Sequence, residues 1–178
     1  MITEQGSAIE ATGIGVRNDA LDNGQWKCQW LLTKYDKSGL IEGTEAGAGN
    51  LLMSAGVTSL FTLLTGGAGT VFNAANSYIG VGDSATASAA TQTDLQATSN
   101  KTRVVMDTGF PKVGVAGGLL ANQVQFQATF NTSTANYVWN EFGVFNASTA
   151  GTMLNRAVSA LGTKATGSWT LQVLISIS

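Results

Sequence analysis

Histidine is missing from all 178 residues, and cysteine and proline occur once each. Without histidine there is no Ser-His-Asp triad, no Cys-His dyad and no imidazole-ligated metal. One cysteine cannot form an intrachain disulfide, and Cys28, set between two tryptophans in "WKCQW", reads as a small buried hydrophobe. Charge is also scarce. Asp, Glu, Lys and Arg make up 11% of the chain, under half of the usual share of about 25%. Net charge is −2, and Arg17, Arg103 and Arg156 stand far apart, so no basic stripe for nucleic acid exists. No apolar run approaches the roughly 18 residues of a membrane span. The opening "MITEQGSAIE" has neither the basic nor the apolar region of a signal peptide. The residues offer no cofactor-binding loop: "LGTKATG" has the wrong order for a phosphate loop, and "IGVGDS" lacks the third glycine and helix of a dinucleotide loop.

What remains is apolar, hydroxyl, amide and glycine. At 44% apolar the chain can build one sizeable core. Residues 1–25 have weak periodicity and read as an N-terminal arm that docks on a partner; residues 26–178 read as a single β-rich domain. In "WKCQWLLTKY" the residues Trp26, Cys28, Trp30 and Leu32 share a face, the period of a half-buried strand. The period changes over 50–64, where Met53, Val57, Leu60, Phe61 and Leu64 form one helical stripe, with Asn50 placed to cap it and Gly66–Gly67 to stop it. Residues 84–100 are a low-complexity Ala/Ser/Thr loop. Val124, Phe126, Ala128 and Phe130 alternate with Gln and Thr, and Gly117–Gly118 signals a hairpin before them. "TMLNR" is a short strand, and "SWTLQVLISIS" the last one. The fold expected is mainly β: an antiparallel sandwich or barrel with one packed helix.

The stretch "YVWNEFGVFN", 137–146, is apolar on both faces and so reads as a central strand. Glu141 interrupts it, on the face shared by Tyr137, Trp139 and Phe145. Glycoside hydrolysis would need a second carboxylate facing it, and Asp107 is the candidate. The stronger reading is a buried structural pair, because an isolated carboxylate there is costly. Arg156 is the first choice of partner, reachable if 152–156 returns beside 138–146; Arg103 is the second. A calcium site would need Asp83, Asp94 and Asp107 to converge.

Six stretches in order, "GNLLMSAGVTSLFTLLTGG", "NSYIGVGDS", "TQTDLQA", "YVWNEFGVFN", "GTMLNR" and "GTKATGSWTLQV", resemble a family of small virion proteins of tailed bacteriophages. The resemblance covers about 26–178. It implies a structural protein of the virion, assembled in the host cytoplasm and exposed as a capsid decoration or a collar or tail-fibre adaptor. Other phage structural proteins would be its partners, with no nucleic acid or membrane among them, and it brings no catalytic residues. The uncharged outer faces predict a homo-oligomer, and three copies is the number that the phage resemblance suggests. The alternatives are a tail-tip module stacking Trp26, Trp30, Trp139 and Trp169 on sugars, and a glycan hydrolase built on Glu141.

Overall fold

The computed structural model describes residues 25–178, so the expected arm lies outside the described residues except for Gln25, whose amide and carbonyl pair with those of Ser178. The chain forms β1 (Trp26–Tyr35), β2 (Ile41–Ala48), β3 (Leu51–Leu52), α1 (Ser54–Leu64), β4 (Tyr78–Gly82), β5 (Lys101–Val105), β6 (Lys112–Val113), β7 (Gln123–Phe130), β8 (Val138–Phe145), β9 (Met153–Thr163) and β10 (Ser168–Ile177). Two antiparallel five-stranded sheets result, ordered β2-β1-β10-β7-β6 and β3-β9-β8-β4-β5. They pack face to face as a sandwich.

Alternation sets the register of the first sheet. Cys28, Trp30 and Leu32 of β1 stand opposite Ile175, Val173 and Leu171 of β10, and Val173 and Leu171 in turn oppose Phe126 and Ala128 of β7. A slip of one residue would turn every one of these side chains to solvent. The outward positions carry amides and hydroxyls that pair across strands: Gln172 donates to Gln127 at 2.6 Å, and the Thr129 and Thr170 hydroxyls lie 2.9 Å apart. From the second sheet come Ile79, Val81, Phe142, Val144 and Leu161, all fully buried. The two sheets lock where Trp139 meets Phe130 and Trp169 edge-on, at centroid distances of 4.7 and 4.9 Å. Such pairs contribute about 0.5–1.5 kcal/mol beyond their buried area.

The second sheet is covered on its outer side too. A smaller apolar cluster of Met53, Leu95, Phe145 and Met153 lies there, beneath the 84–100 segment and the start of α1. This makes β8 a strand buried on both faces. A register shift between Trp139 and Glu141 gives the strand its mixed character. Trp139 joins the inter-sheet core, whereas Glu141 reaches the outer layer. The expected common face of Trp139 and Glu141 is therefore corrected by an irregularity that the uniform apolarity of the strand conceals.

The helix is shorter than its pattern and sits differently. Leu51 and Leu52 pair with β9, Met53 precedes the first turn, and the Asn50 side chain accepts from the Trp26 indole instead of capping. The Ser54 amide donates to the Ala90 carbonyl, so the loop caps the helix. Gly56 is the one buried helical residue, and the far end of the stripe, Phe61 and Leu64, is exposed. The contact is set by backbone proximity and not by the apolar stripe: a Cβ on Gly56 would stand 2.5 Å from the Leu154 carbonyl oxygen. "TMLNR" also proves to be only the start of the eleven-residue β9, which continues through small residues to bury Leu161.

Gly56→Ala should therefore destabilise the fold by about 1–3 kcal/mol, the range for overpacking a tight site, visible as a fall in Tm of about 2–4 °C per kcal/mol. Gly43→Ala, where a Cβ meets nothing within 4 Å, should leave Tm unchanged in the same thermal melt.

Candidate functional site: a buried carboxylate and guanidinium under a polar loop

Glycine makes the space for the charges. In "YIGVG", Ile79 and Val81 face the core and Gly80 and Gly82 face outward. Gly82 stands opposite Glu141, and Gly143 stands opposite Arg156. A Cβ on Gly82 would meet Glu141 Oε1 at 2.5 Å, and one on Gly80 would meet the Phe145 ring at 2.8 Å. These alternate glycines form a shelf on which two large charged side chains lie along the sheet.

Glu141 and Arg156 are both fully buried, and Arg156 Nε donates to Glu141 Oε2 at 2.7 Å. Every other hydrogen bond their side chains make goes to the 84–100 segment. The Gln96 amide donates to Oε2 at 2.9 Å, and the Ala97 amide to Oε1 at 2.7 Å. Arg156 Nη1 donates to Gln92 Oε1 at 3.0 Å and to Ser88 Oγ at 3.3 Å, and Nη2 to the Thr86 carbonyl at 2.8 Å. Burying two ions is costly unless their remaining lone pairs and protons are satisfied; here the loop satisfies them. The pair in turn gives the loop what its Ala/Ser/Thr composition cannot, a set of fixed partners for backbone groups that folding removes from water.

Arg103 has other partners. Its guanidinium lies 3.6 Å from the Phe145 ring centroid and donates to the Ala147 and Ala150 carbonyls and to Asp94. Asp94 also accepts from Lys101 at 2.7 Å. Partial burial pushes the Asp94 carboxyl upward, but the hydrogen bonds from Lys101 and Arg103 outweigh it and hold the group below the ordinary carboxylate range. Asp94, Lys101 and Arg103, with Ser148 and Thr149, line a cavity of about 240 Å³ in which the charges are paired with one another.

The three aspartates do not converge. Asp83 accepts from Asn100, Asp94 from its two cations, and Asp107 from Gln127 and Thr129 of the other sheet. Asp107 therefore does not face Glu141. Among the described residues no group of three His, Cys, Asp or Glu side chains is placed to hold a metal ion.

Two further groups carry no site. Burial pushes the Cys28 thiol up to about 12, which keeps it un-ionised and unreactive. Lys164 of "LGTKATG" is buried, and Nζ donates to the Asn131 carbonyl and Asn136 Oδ1, both at 2.7 Å. Desolvation lowers its pKa. The only sequence signal for this burial is a lysine between two glycines, Gly162 and Gly167, whose φ values are +95° and +74°. No protein-family model, curated protein or solved structure matches the chain.

Removing one member of the pair leaves the other charge buried and unpartnered, so Arg156→Met and Glu141→Gln should each cost several kcal/mol, within about 3–5 for a broken buried pair. The double variant should cost clearly less than the sum, with a coupling of at least about 2 kcal/mol in a denaturant-melt cycle. Additive costs would show that the two charges act separately.

Proposed function

We propose that this chain is a structural, non-catalytic component of a tailed-bacteriophage virion, exposed on the particle as a capsid decoration or a collar or tail-fibre adaptor. The observation that carries this reading is the surface. Leu40, Ile41, Phe61, Leu64, Val115 and Leu120 are each more than half exposed, on a chain with few charges to defend them. Surfaces of this kind suit lasting contact with other protein. The outer strands β2 and β5 end their sheets without a further partner among the described residues, leaving edges for a neighbouring copy or another particle protein.

Glu141 supports a structural role over glycan hydrolysis, since both carboxylate oxygens accept protein hydrogen bonds and the group is sealed from solvent. Sugar stacking at a tail tip finds less support, because Trp30, Trp139 and Trp169 lie in the core and only Trp26 is partly exposed.

Mass spectrometry of purified particles tests the reading. Hundreds of copies per particle are expected for a decoration and a few to a few dozen for a collar or adaptor; absence from the particle would overturn it. The assembly is expected to be a homotrimer. Light scattering on the isolated full chain should give about three times the 18.3 kDa chain mass, and a monodisperse monomer would contradict this.

A further inference from the structure

Each sheet has one short edge strand and one longer one. β3 and β6 are two residues long, whereas β2 has eight and β5 five. β7 packs against β4 and β5, so the β6 side of one sheet lies over the β5 side of the other, and β2 stands at the opposite side of the sandwich. Both longer edges present backbone without a strand partner. The Gly49 amide donates to the Cys28 carbonyl. By the alternation of an antiparallel ladder, Thr44, Ala46 and Ala48 then turn their backbone groups away from β1. On β5, the Asn100 carbonyl and the Met106 amide bond toward the β4 side, to Asp83 and Ser77. Arg103 and Val105 therefore turn their backbone groups outward.

We propose that β2 of one copy adds to β5 of a second copy, each chain giving one edge and receiving at the other. Charge selects this pairing over like with like. β2 holds Glu42 and Glu45, and β5 holds Lys101 and Arg103. Two β2 strands side by side bring glutamates together, and two β5 strands bring cations together; like charges across a ladder destabilise it. Within the chain Glu45 is paired with Lys34, while Lys101 and Arg103 share Asp94. One positive charge is thus in excess at β5. Glu42, exposed and in no ion pair among the described residues, matches it. The cavity of about 240 Å³ has Lys101, Thr102 and Arg103 in its wall, so it opens on the same strand. Strand addition commonly joins backbone pairing to such a pocket for a side chain. A contact between two different edges is head to tail, and it closes into a ring or extends as a filament; a ring of three is the homotrimer expected above. The inference rests on that homo-oligomer and not on the virion, so particle mass spectrometry and the test below can fail separately.

The test uses the full chain with p-benzoylphenylalanine in place of Thr44 or, separately, of Val105. Both positions are exposed, Val105 by 44%, and a thermal melt checks each protein. Irradiation should give a double-size band on a denaturing gel. The adduct from position 44 should lie in a peptide covering 101–107, and that from position 105 in one covering 41–48. Ala46→Pro removes an outward amide at a sheet edge, where proline is tolerated, and leaves a carbonyl of the added strand without its donor. Association in a light-scattering dilution series should weaken by about tenfold or more, the loss for a polar group left unpaired in a contact. If Ala46→Pro does not fold, the cross-links decide. Adducts from position 44 to β2 of a second copy would show like-with-like pairing and overturn the proposal. Double-size bands missing from both probes, adducts that map elsewhere, or unchanged association of a folded Ala46→Pro protein would overturn it as well.

Discussion

The outer layer of this protein depends on one ion pair. Residues 84–100 have almost nothing to bury: Leu95 and Ala97 are their buried apolar side chains, far too little to offset the conformational entropy of ordering the segment. Glu141 and Arg156 supply the rest. The carboxylate takes two successive loop amides, and the guanidinium fans out to a carbonyl, an amide and a hydroxyl from the other half of the loop. A planar group with five donors can do this where a lysine could not. Each partner is buried because the other is there and because the loop completes both shells. Neither the sheet surface nor the loop is stable in this form alone.

The same economy runs through the fold. Low charge leaves the protein with few ions, and those of the outer layer and the β9–β10 turn are spent on tying irregular backbone to sheet. Arg103 holds the 147–150 turn, Lys164 holds the segment around Asn131, and Asp107 accepts from β7, the strand next to the sheet edge. The Asp107 contact also blunts an edge that β6, only two residues long, leaves mostly uncovered. The surface that remains is amide, hydroxyl and exposed aliphatic.

Strands whose alternation is regular were legible in the sequence. Cys28-Trp30-Leu32 and Phe126-Ala128-Phe130 declare their faces because one side of each strand is polar. The juxtaposition of Glu141 with Arg156 was legible for a different reason: a lone carboxylate in an apolar strand demands a cation, and the strand after the next turn carries one. Four features were not legible. The register shift beside Trp139 leaves no mark in a stretch apolar at nearly every position. The seating of α1 depends on the absence of a side chain at Gly56, which no hydrophobic stripe records, so the stripe residues Phe61 and Leu64 point to an interior they do not enter. The length of β9 was hidden because "AVSALGT" is mostly small residues, with Val158 and Leu161 too far apart to mark a strand's alternation. The partners of the 84–100 loop were hidden too, since low-complexity sequence carries no pairing code.

Amide hydrogen exchange on the full chain carrying Arg156→Met, compared with the unaltered protein, tests the central claim most directly. If the pair holds the loop, the amides of Gln96 and Ala97 and their neighbours through 84–100 lose protection in the variant, while β10 and β1 in the opposite sheet keep theirs. Protection of the loop unchanged from that of the unaltered protein would contradict the account, and so would a uniform loss across both sheets.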